Sequence, residues 1–112
     1  MERRRLKKQG FKKVDGALRR MEAHCEQVSG LLKALAHPAR LLIMGHLVAG
    51  EKTVTQLQEL CGISQSQLSQ FLARMRLEEL VHCERRGRFL VYSVADDRMV
   101  GLISAIQTLY CK

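Results

Sequence analysis

Long hydrophobic runs are missing from this chain of 112 residues. No stretch approaches the roughly 18–20 consecutive apolar residues that a transmembrane helix needs. The basic opening, MERRRLKKQGFKK, is not followed by the apolar segment of a secretory signal peptide. Apolar residues still make up 46% of the chain, which is ordinary for a globular protein. We therefore expect one soluble domain in the cytoplasm, with no membrane association.

Motifs of enzyme active sites are also absent from the sequence. It contains no glycine-rich nucleotide-binding loop, no nucleophile elbow and no acid–base pair in a recognisable pattern. Cysteine occurs at positions 25, 61, 83 and 111, without a C-x-x-C or another short metal-binding pair. These absences predict a protein that is not an enzyme and has no cofactor. They also predict free thiols in a reducing compartment.

Acidic residues are the minority among the charged side chains. The chain has 19 Lys and Arg against 11 Asp and Glu, a net charge of +8 and a pI of about 9.8. Residues 1–13 hold seven of the basic residues and one of the acidic ones, which leaves twelve and ten for the remainder. We interpret 1–13 as a basic, flexible N-terminal arm and 14–112 as the folded domain. The basic balance favours a polyanionic partner such as nucleic acid.

Helical periodicity dominates the chain as far as Leu80. Apolar residues spaced by three and four predict a helix from about Asp15 to Leu35. The single proline should end it and start a second, largely apolar helix over Ala39–Ala49. Two capping-box patterns follow, TVTQ from Thr53 and SQSQ from Ser64, each opening a short helix. Two short helices joined by a glycine predict a helix-turn-helix.

The period changes from helical towards two after this point. Val81–Glu84 and Phe89–Val94 flank the sequence RRGR, which predicts a β-hairpin with a basic tip. Asp96 or Asp97 can then cap a last helix. The predicted fold is mainly α with a β-hairpin wing, in the order α-α-α-α-β-β-α. This order is a winged helix-turn-helix.

The segment GISQSQLSQFLARMR, from Gly62 to Arg76, carries the candidate binding residues. With Leu68, Leu72 and Met75 turned inward, its other sides present hydroxyls and amides where most solvated helices carry Lys and Glu. Such groups both donate and accept, as base edges in the major groove require. The candidates are Ser64, Gln65, Ser66, Gln67, Ser69, Gln70 and Arg74. A merely solvated polar face is the alternative interpretation.

Three arginines at the predicted hairpin tip complete the candidate site. Arg85, Arg86 and Arg88 can reach backbone phosphates or a narrow minor groove. The same charges can protect an edge strand from aggregation, and the two interpretations are compatible.

Three stretches of the chain resemble the ArsR/SmtB family of small bacterial repressors. They are LLKALAHPARLLIMGHL (31–47), ISQSQLSQFLARMRLEELV (63–81) and VYSV (91–94), within a resemblance that runs from about Val28 to Cys111. The resemblance implies a homodimer, formed through the first and last helices, that represses by binding a palindromic operator in double-stranded DNA. It implies release of the DNA when an inducer binds. The two-fold axis would set the recognition helices about one helical turn, ~34 Å, apart.

The family's two standard metal sites do not match this sequence. Thr53 and Thr55 stand where arsenic and cadmium sensors carry a Cys-x-Cys pair, and hydroxyls are poor ligands for soft metals. On the last helix Asp97 matches a zinc ligand, but Met99 and Tyr110 stand where histidines should be. We therefore assign no metal-binding residues.

The ending TLYCK is similar to the sulfide- and redox-responsive SqrR/BigR/HlyU branch of the family. The resemblance implies thiol sensing at Cys111 together with a cysteine of the second helix, where this chain has Gly45. Cys25 is the candidate replacement, because the first and last helices of this family pack together. The expected inducer is a reactive sulfur species or an oxidant. Cys61 and Cys83 are predicted to be small core residues.

Two other functions stay open on the sequence alone. One is a regulator that responds to a metal through a non-standard Cys/His site. The other is a winged-helix protein-interaction module, an antirepressor, that hardly reads DNA.

Overall fold

The computed structural model describes residues 16–111, in two compact units that divide between Lys33 and Ala34. The helices are α1 (16–22), α2 (Cys25–Leu35), α3 (Pro38–Ala49), α4 (Val54–Cys61), α5 (Gln65–Leu77) and α6 (Arg98–Tyr110), and the strands are β1 (Lys52–Thr53), β2 (Val81–Arg86) and β3 (Phe89–Val94). The predicted basic arm, 1–13, lies outside the described residues. Within 16–111 no single helix is long and apolar enough to cross a membrane; α2 and α3 pass that test only as a pair, and the helical structure is interrupted at residues 36–37 between them.

A turn at residues 23–24 separates α1 from α2, so the prediction of one continuous helix from Asp15 to Leu35 is wrong. The His24 amide donates to the Met21 carbonyl at 2.8 Å, a three-residue spacing that tightens the chain. Four-residue spacing resumes where Val28 donates to the His24 carbonyl at 2.9 Å. The spacing of the apolar residues could not predict this turn, because residues three apart and residues four apart both lie on the same face of a helix.

The N-terminus of α3 is capped by a histidine. The His37 Nδ1 accepts a hydrogen bond from the Ala39 amide at 3.1 Å. Pro38 is the first residue of α3, one residue earlier than predicted. A proline has no amide hydrogen, and at this position the amide would have no acceptor within the helix. The cap therefore satisfies an amide at the start of α3 that has no acceptor within the helix.

The helix-turn-helix forms with one complete capping box and one half box. The Thr53 hydroxyl accepts from the Gln56 amide at 3.2 Å, and the Gln56 side chain accepts from the Thr53 amide at 2.9 Å. Gly62 ends α4 at φ 64°, a left-handed conformation that glycine adopts without strain. At Ser64 the hydroxyl accepts from the Gln67 amide at 3.2 Å, but among the described residues the Gln67 side chain makes no return bond to the backbone of Ser64.

The core of the second unit is built from one side of each helix and the inner part of the sheet. Leu68, Leu72 and Met75 are buried as predicted and anchor α5. Leu57 anchors α4, whereas Leu60, three residues further along the helix, is half exposed because it lies at the edge of that apolar stripe. The other buried apolar residues are Ala34, Leu35, Ile43, Met44, Leu47, Leu80, Val81, Val91, Tyr92, Met99 and Ile103.

The predicted hairpin is present within a three-stranded antiparallel sheet of order β1-β3-β2. Its last pair is Arg86 opposite Phe89, so Gly87 and Arg88 form a two-residue turn. Gly87 has φ 64°, and a positive φ at the first turn residue matches the twist of the strands. Strand β1 was not predicted, because a two-residue strand has no periodicity to detect.

Candidate nucleic-acid interface

All the residues that the sequence predicts for DNA contact on the recognition helix are exposed. They comprise the N-cap Ser64 and, on α5 itself, Gln65, Ser66, Gln67, Ser69, Gln70 and Arg74. Leu72 and its two buried neighbours on the opposite side hold the helix against the core. At 100° per residue, Ser66 and Gln70 are the candidate residues that point most directly away from that buried stripe. The helix therefore presents its hydroxyls and amides outward on a rigid support.

One flank of α5 forms a wall of an open groove of about 340 Å³. The wall consists of Gln65, Ser69, Ala73 and Arg76; the opposing walls are the start of α4 and the wing residues Arg88, Phe89, Leu90 and Tyr92. Of these, Arg76 was missed as a site residue. The signal was present, since Arg76 follows Gln65 and Ser69 at helical spacing on the same side.

Buried Tyr92 connects the wing to the recognition helix. Burial raises the pKa of the Tyr92 hydroxyl, the neighbouring Cys83 thiol acts in the same direction, and the Arg76 guanidinium opposes both. Cys83 lies directly opposite Tyr92 in the hairpin register. It is only half-buried, so its predicted role as a core residue is not met in full. The three side chains form a polar contact between β2, β3 and α5.

The three arginines of the wing differ in their partners. Within residues 16–111, Arg85 and Arg88 pair with no carboxylate. Arg86 donates from Nη1 to Glu51 Oε1 at 2.5 Å, and from Nη2 to Glu51 Oε2 at 3.1 Å and to Glu84 Oε2 at 3.0 Å. The hydrogen bonds with Arg86 lower the pKa of Glu51 and raise that of the guanidinium. Arg85 and Arg88 are thus the wing cations available to a phosphate.

Arg74 and Phe71 are also held by contacts within the protein. The Arg74 Nε donates to Glu78 at 3.0 Å, an exposed pair one helical turn apart. The Phe71 ring lies 4.8 Å from the His37 ring at an interplanar angle of 49°. This tilted aromatic contact joins the cap of α3 to the side of α5 and helps to hold the recognition helix at its angle.

The four cysteines are free thiols in different environments. Cys25 and Cys111 are exposed, whereas Cys61 and Cys83 are half-buried. Burial raises the pKa of the Cys61 thiol, which lowers its thiolate fraction near neutral pH. In the described part of the chain, no three His, Cys, Asp or Glu side chains are grouped as a metal site.

Comparison with known proteins decides the family. Residues 37–82, from the α3 cap into β2, match the profile of the arsR family of bacterial regulatory proteins. The chain is 37% identical over 95 residues to the HTH-type transcriptional regulator YgaV of Escherichia coli, an alignment that covers 84% of this chain and 96% of YgaV. The chain belongs to the ArsR family.

Solved structures of other ArsR-type regulators show the same fold. The transcriptional repressor BigR from Xylella fastidiosa superposes with a TM-score of 0.81 at 34% identity, covering 84% of this chain and 96% of BigR. Reduced HlyU from Vibrio cholerae gives a TM-score of 0.77 at 32% identity, covering 83% and 98%. The winged helix-turn-helix prediction and the resemblance to the branch that includes BigR and HlyU are confirmed for this ArsR-family chain.

Proposed function

We propose that this ArsR-family protein is a homodimeric repressor that reads a palindromic operator in double-stranded DNA with α5. The exposed hydroxyl and amide groups of that helix, opposite a fully buried apolar stripe, are the observation that carries the proposal. The name of the related repressor BigR supports the same role. Amides and hydroxyls suit base edges, whereas a Lys-rich face would bind DNA with little sequence preference.

Each part of the site then has a separate task on the duplex. The first two turns of α5 enter the major groove, where Gln65, Gln67 and Gln70 contact base edges and the serines contact bases or phosphates. The amides at the helix N-terminus, near Ser64, favour a phosphate. Arg85 and Arg88 of the wing reach the backbone or the adjacent minor groove. Phosphate contacts fix the register, and base contacts provide specificity.

A gel-shift titration on the gene's own upstream region tests the proposal. We expect a retarded band at nanomolar dimer and moderate salt that specific duplex competes away better than random duplex. The absence of any retarded band would reject DNA reading and favour the protein-interaction module instead.

The homodimer is supported by apolar side chains that α6 leaves exposed. Leu109 is 71% exposed and Tyr110 83% exposed, and the two are neighbours in the last turn of α6. Exposed apolar side chains grouped on one element are typical of a protein–protein contact. A two-fold axis at this surface would pair two recognition helices with the two half-sites of a palindrome.

Leu109→Glu should convert the dimer to a monomer, because it places a carboxylate in an apolar contact. Light scattering coupled to gel filtration measures the mass. Leu77→Glu is the matched control, since Leu77 is also a highly exposed leucine but lies on α5. The control should remain dimeric. A wild-type monomer, or a dimer that withstands Leu109→Glu, would contradict this interface.

Thiol control through Cys111, with Cys25 as its partner, is the second part of the proposal. Both thiols are exposed. The SqrR/BigR/HlyU-like ending supports a sensing role, and one similar structure is that of HlyU in its reduced form. An oxidant would convert such thiols to sulfenic acid or disulfide, and a polysulfide would convert them to persulfides. Either product changes the C-terminus of α6, which is also the proposed dimer contact.

Iodoacetamide at neutral pH should alkylate Cys25 and Cys111 before Cys61, because burial lowers the thiolate fraction of Cys61. Peptide mass spectrometry gives the order. In a parallel DNA-binding assay, polysulfide should release DNA from the wild type and from Cys61→Ser but not from Cys111→Ser. Release from Cys111→Ser equal to that of the wild type would remove Cys111 from sensing.

A further inference from the structure

The ion pairs of Arg86 join the tip of the wing to the segment between α3 and α4. Glu51 directly precedes β1, and Glu84 lies on β2, while β3 runs between these two strands. The bonds from Arg86 to Glu51 therefore cross the sheet over its central strand. Because Arg86 opposes Phe89 in the last pair before the turn, these bonds hold the outermost part of the hairpin.

The charges of this cluster are unfavourable for a DNA backbone. One guanidinium and two carboxylates sum to a net charge of −1, and both terminal nitrogens of Arg86 already donate hydrogen bonds. A phosphate at Arg86 would have to displace a carboxylate or lie beside two of them. Arg85 and Arg88, by contrast, pair with no carboxylate of the described residues.

The hydrogen bonds of Arg86 contribute more to the position of the wing than to the stability of the protein. The three side chains are about half exposed to solvent, and exposed ion pairs add little to the free energy of unfolding. The two parallel bonds to Glu51, however, fix the plane of the guanidinium in a way that a single contact does not. The width of the groove between α5 and the wing depends on this angle, since Arg88 and Phe89 form one of its walls.

We propose that Arg86 is a positioning residue: held by Glu51 and Glu84, it sets the angle of the wing to the helix-turn-helix so that Arg88 and Phe89 meet the DNA, and it does not itself bind phosphate. This inference rests on the proposed DNA-reading function. It replaces the phosphate contact that the sequence predicted for Arg86 with a contact inside the protein.

Salt-dependent binding of single and double variants to operator DNA separates the two roles. Each phosphate contact contributes about 0.9 to the slope of log K against log salt. We expect Arg88→Ala to reduce the slope by about one, and we expect Arg86→Ala to weaken binding several-fold through the misplaced Arg88, so that the double variant Arg86→Ala/Arg88→Ala loses no more slope than Arg88→Ala alone. A double variant whose slope falls by about two, one contact for each arginine, would overturn the positioning role.

Glu51→Gln provides a second test, because the two roles of Arg86 predict changes of opposite sign in the affinity for DNA. If Arg86 only positions the wing, losing its carboxylate partner should weaken binding to operator and random DNA several-fold, as Arg86→Ala does, and the double variant Arg86→Ala/Glu51→Gln should be no worse. If Arg86 binds phosphate, Glu51→Gln should free it and tighten binding to both DNAs. Glu59→Gln is the matched control, because Glu59 is exposed on α4 and pairs with no described arginine.

A measurement without DNA keeps this inference separate from the proposed function. NMR order parameters of the amides at residues 87–90 should fall in Arg86→Ala and Glu51→Gln and stay at wild-type values in Glu59→Gln. Unchanged order parameters in the first two variants would overturn the positioning role even if the protein binds DNA. A wild type that binds no DNA would instead defeat the proposed function.

Discussion

Gln70→Ala should weaken binding to operator DNA by about 5- to 150-fold and leave binding to random duplex nearly unchanged. The fold-change corresponds to the roughly 1–3 kcal/mol of discrimination that a bidentate amide–adenine contact provides. Gln70 is exposed on the side of α5 opposite the buried stripe, and its side chain makes no hydrogen bond with the described residues. Random duplex is bound through phosphates, which this variant does not touch.

Fluorescence anisotropy with operator and random duplexes of equal length measures both affinities. Arg88→Ala is the contrasting variant, because loss of a phosphate contact should weaken both duplexes by a similar factor. Gln67→Ala should also act on the operator more than on random DNA; its side chain already accepts a long bond of 3.4 Å from the Ser64 hydroxyl. Equal losses on the two duplexes for Gln70→Ala would remove it from base reading.

Leu72→Ala should lower the free energy of unfolding by about 2–5 kcal/mol, the usual range when a buried leucine is truncated. Leu72 is only 1% exposed at the centre of the apolar stripe of α5. For a domain whose total stability is about 5–15 kcal/mol, this loss is a large fraction. DNA binding should then fall in proportion to the unfolded fraction, on operator and random duplex alike.

Urea unfolding followed by circular dichroism measures the change. Leu77→Ala is the matched control, because the same substitution on the same helix removes a side chain that is 83% exposed. The control should stay within about 0.5 kcal/mol of the wild type. If the two variants were equally destabilised, the orientation of α5 described above would be incorrect.

The features that followed from the sequence depend on short stretches of chain. The Thr53 capping box, the glycine at the end of α4 and the hairpin connection each need only a few neighbouring residues, although the predicted connection, residues 85–88, is two residues longer than the turn that forms. The buried side of α5 was also predictable, because Leu68, Leu72 and Met75 recur at helical spacing. The polar side of the helix then followed as the remainder. Local rules therefore placed the recognition helix and the wing.

The features that the sequence did not reveal depend on distant residues or on very short elements. Glu51 and Arg86 are 35 positions apart, and no periodic pattern connects a loop before β1 with the tip of a hairpin. The two-residue β1 exists only because β3 offers it a partner, at Lys52 opposite Tyr92. The groove between Arg76 and the wing likewise could not be predicted, because it forms only when the hairpin folds beside α5.

The most direct test of the central claim is a 7-deazaadenine scan of the operator with wild type and Gln70→Ala. The substitution removes the N7 acceptor of one adenine at a time and leaves its Watson–Crick pairing intact. If the amides of α5 read bases, replacing one or two adenines per half-site should lower the affinity of the wild type. The same replacements should not lower the affinity of Gln70→Ala any further. No sensitive adenine, or equal sensitivity in both proteins, would contradict the claim.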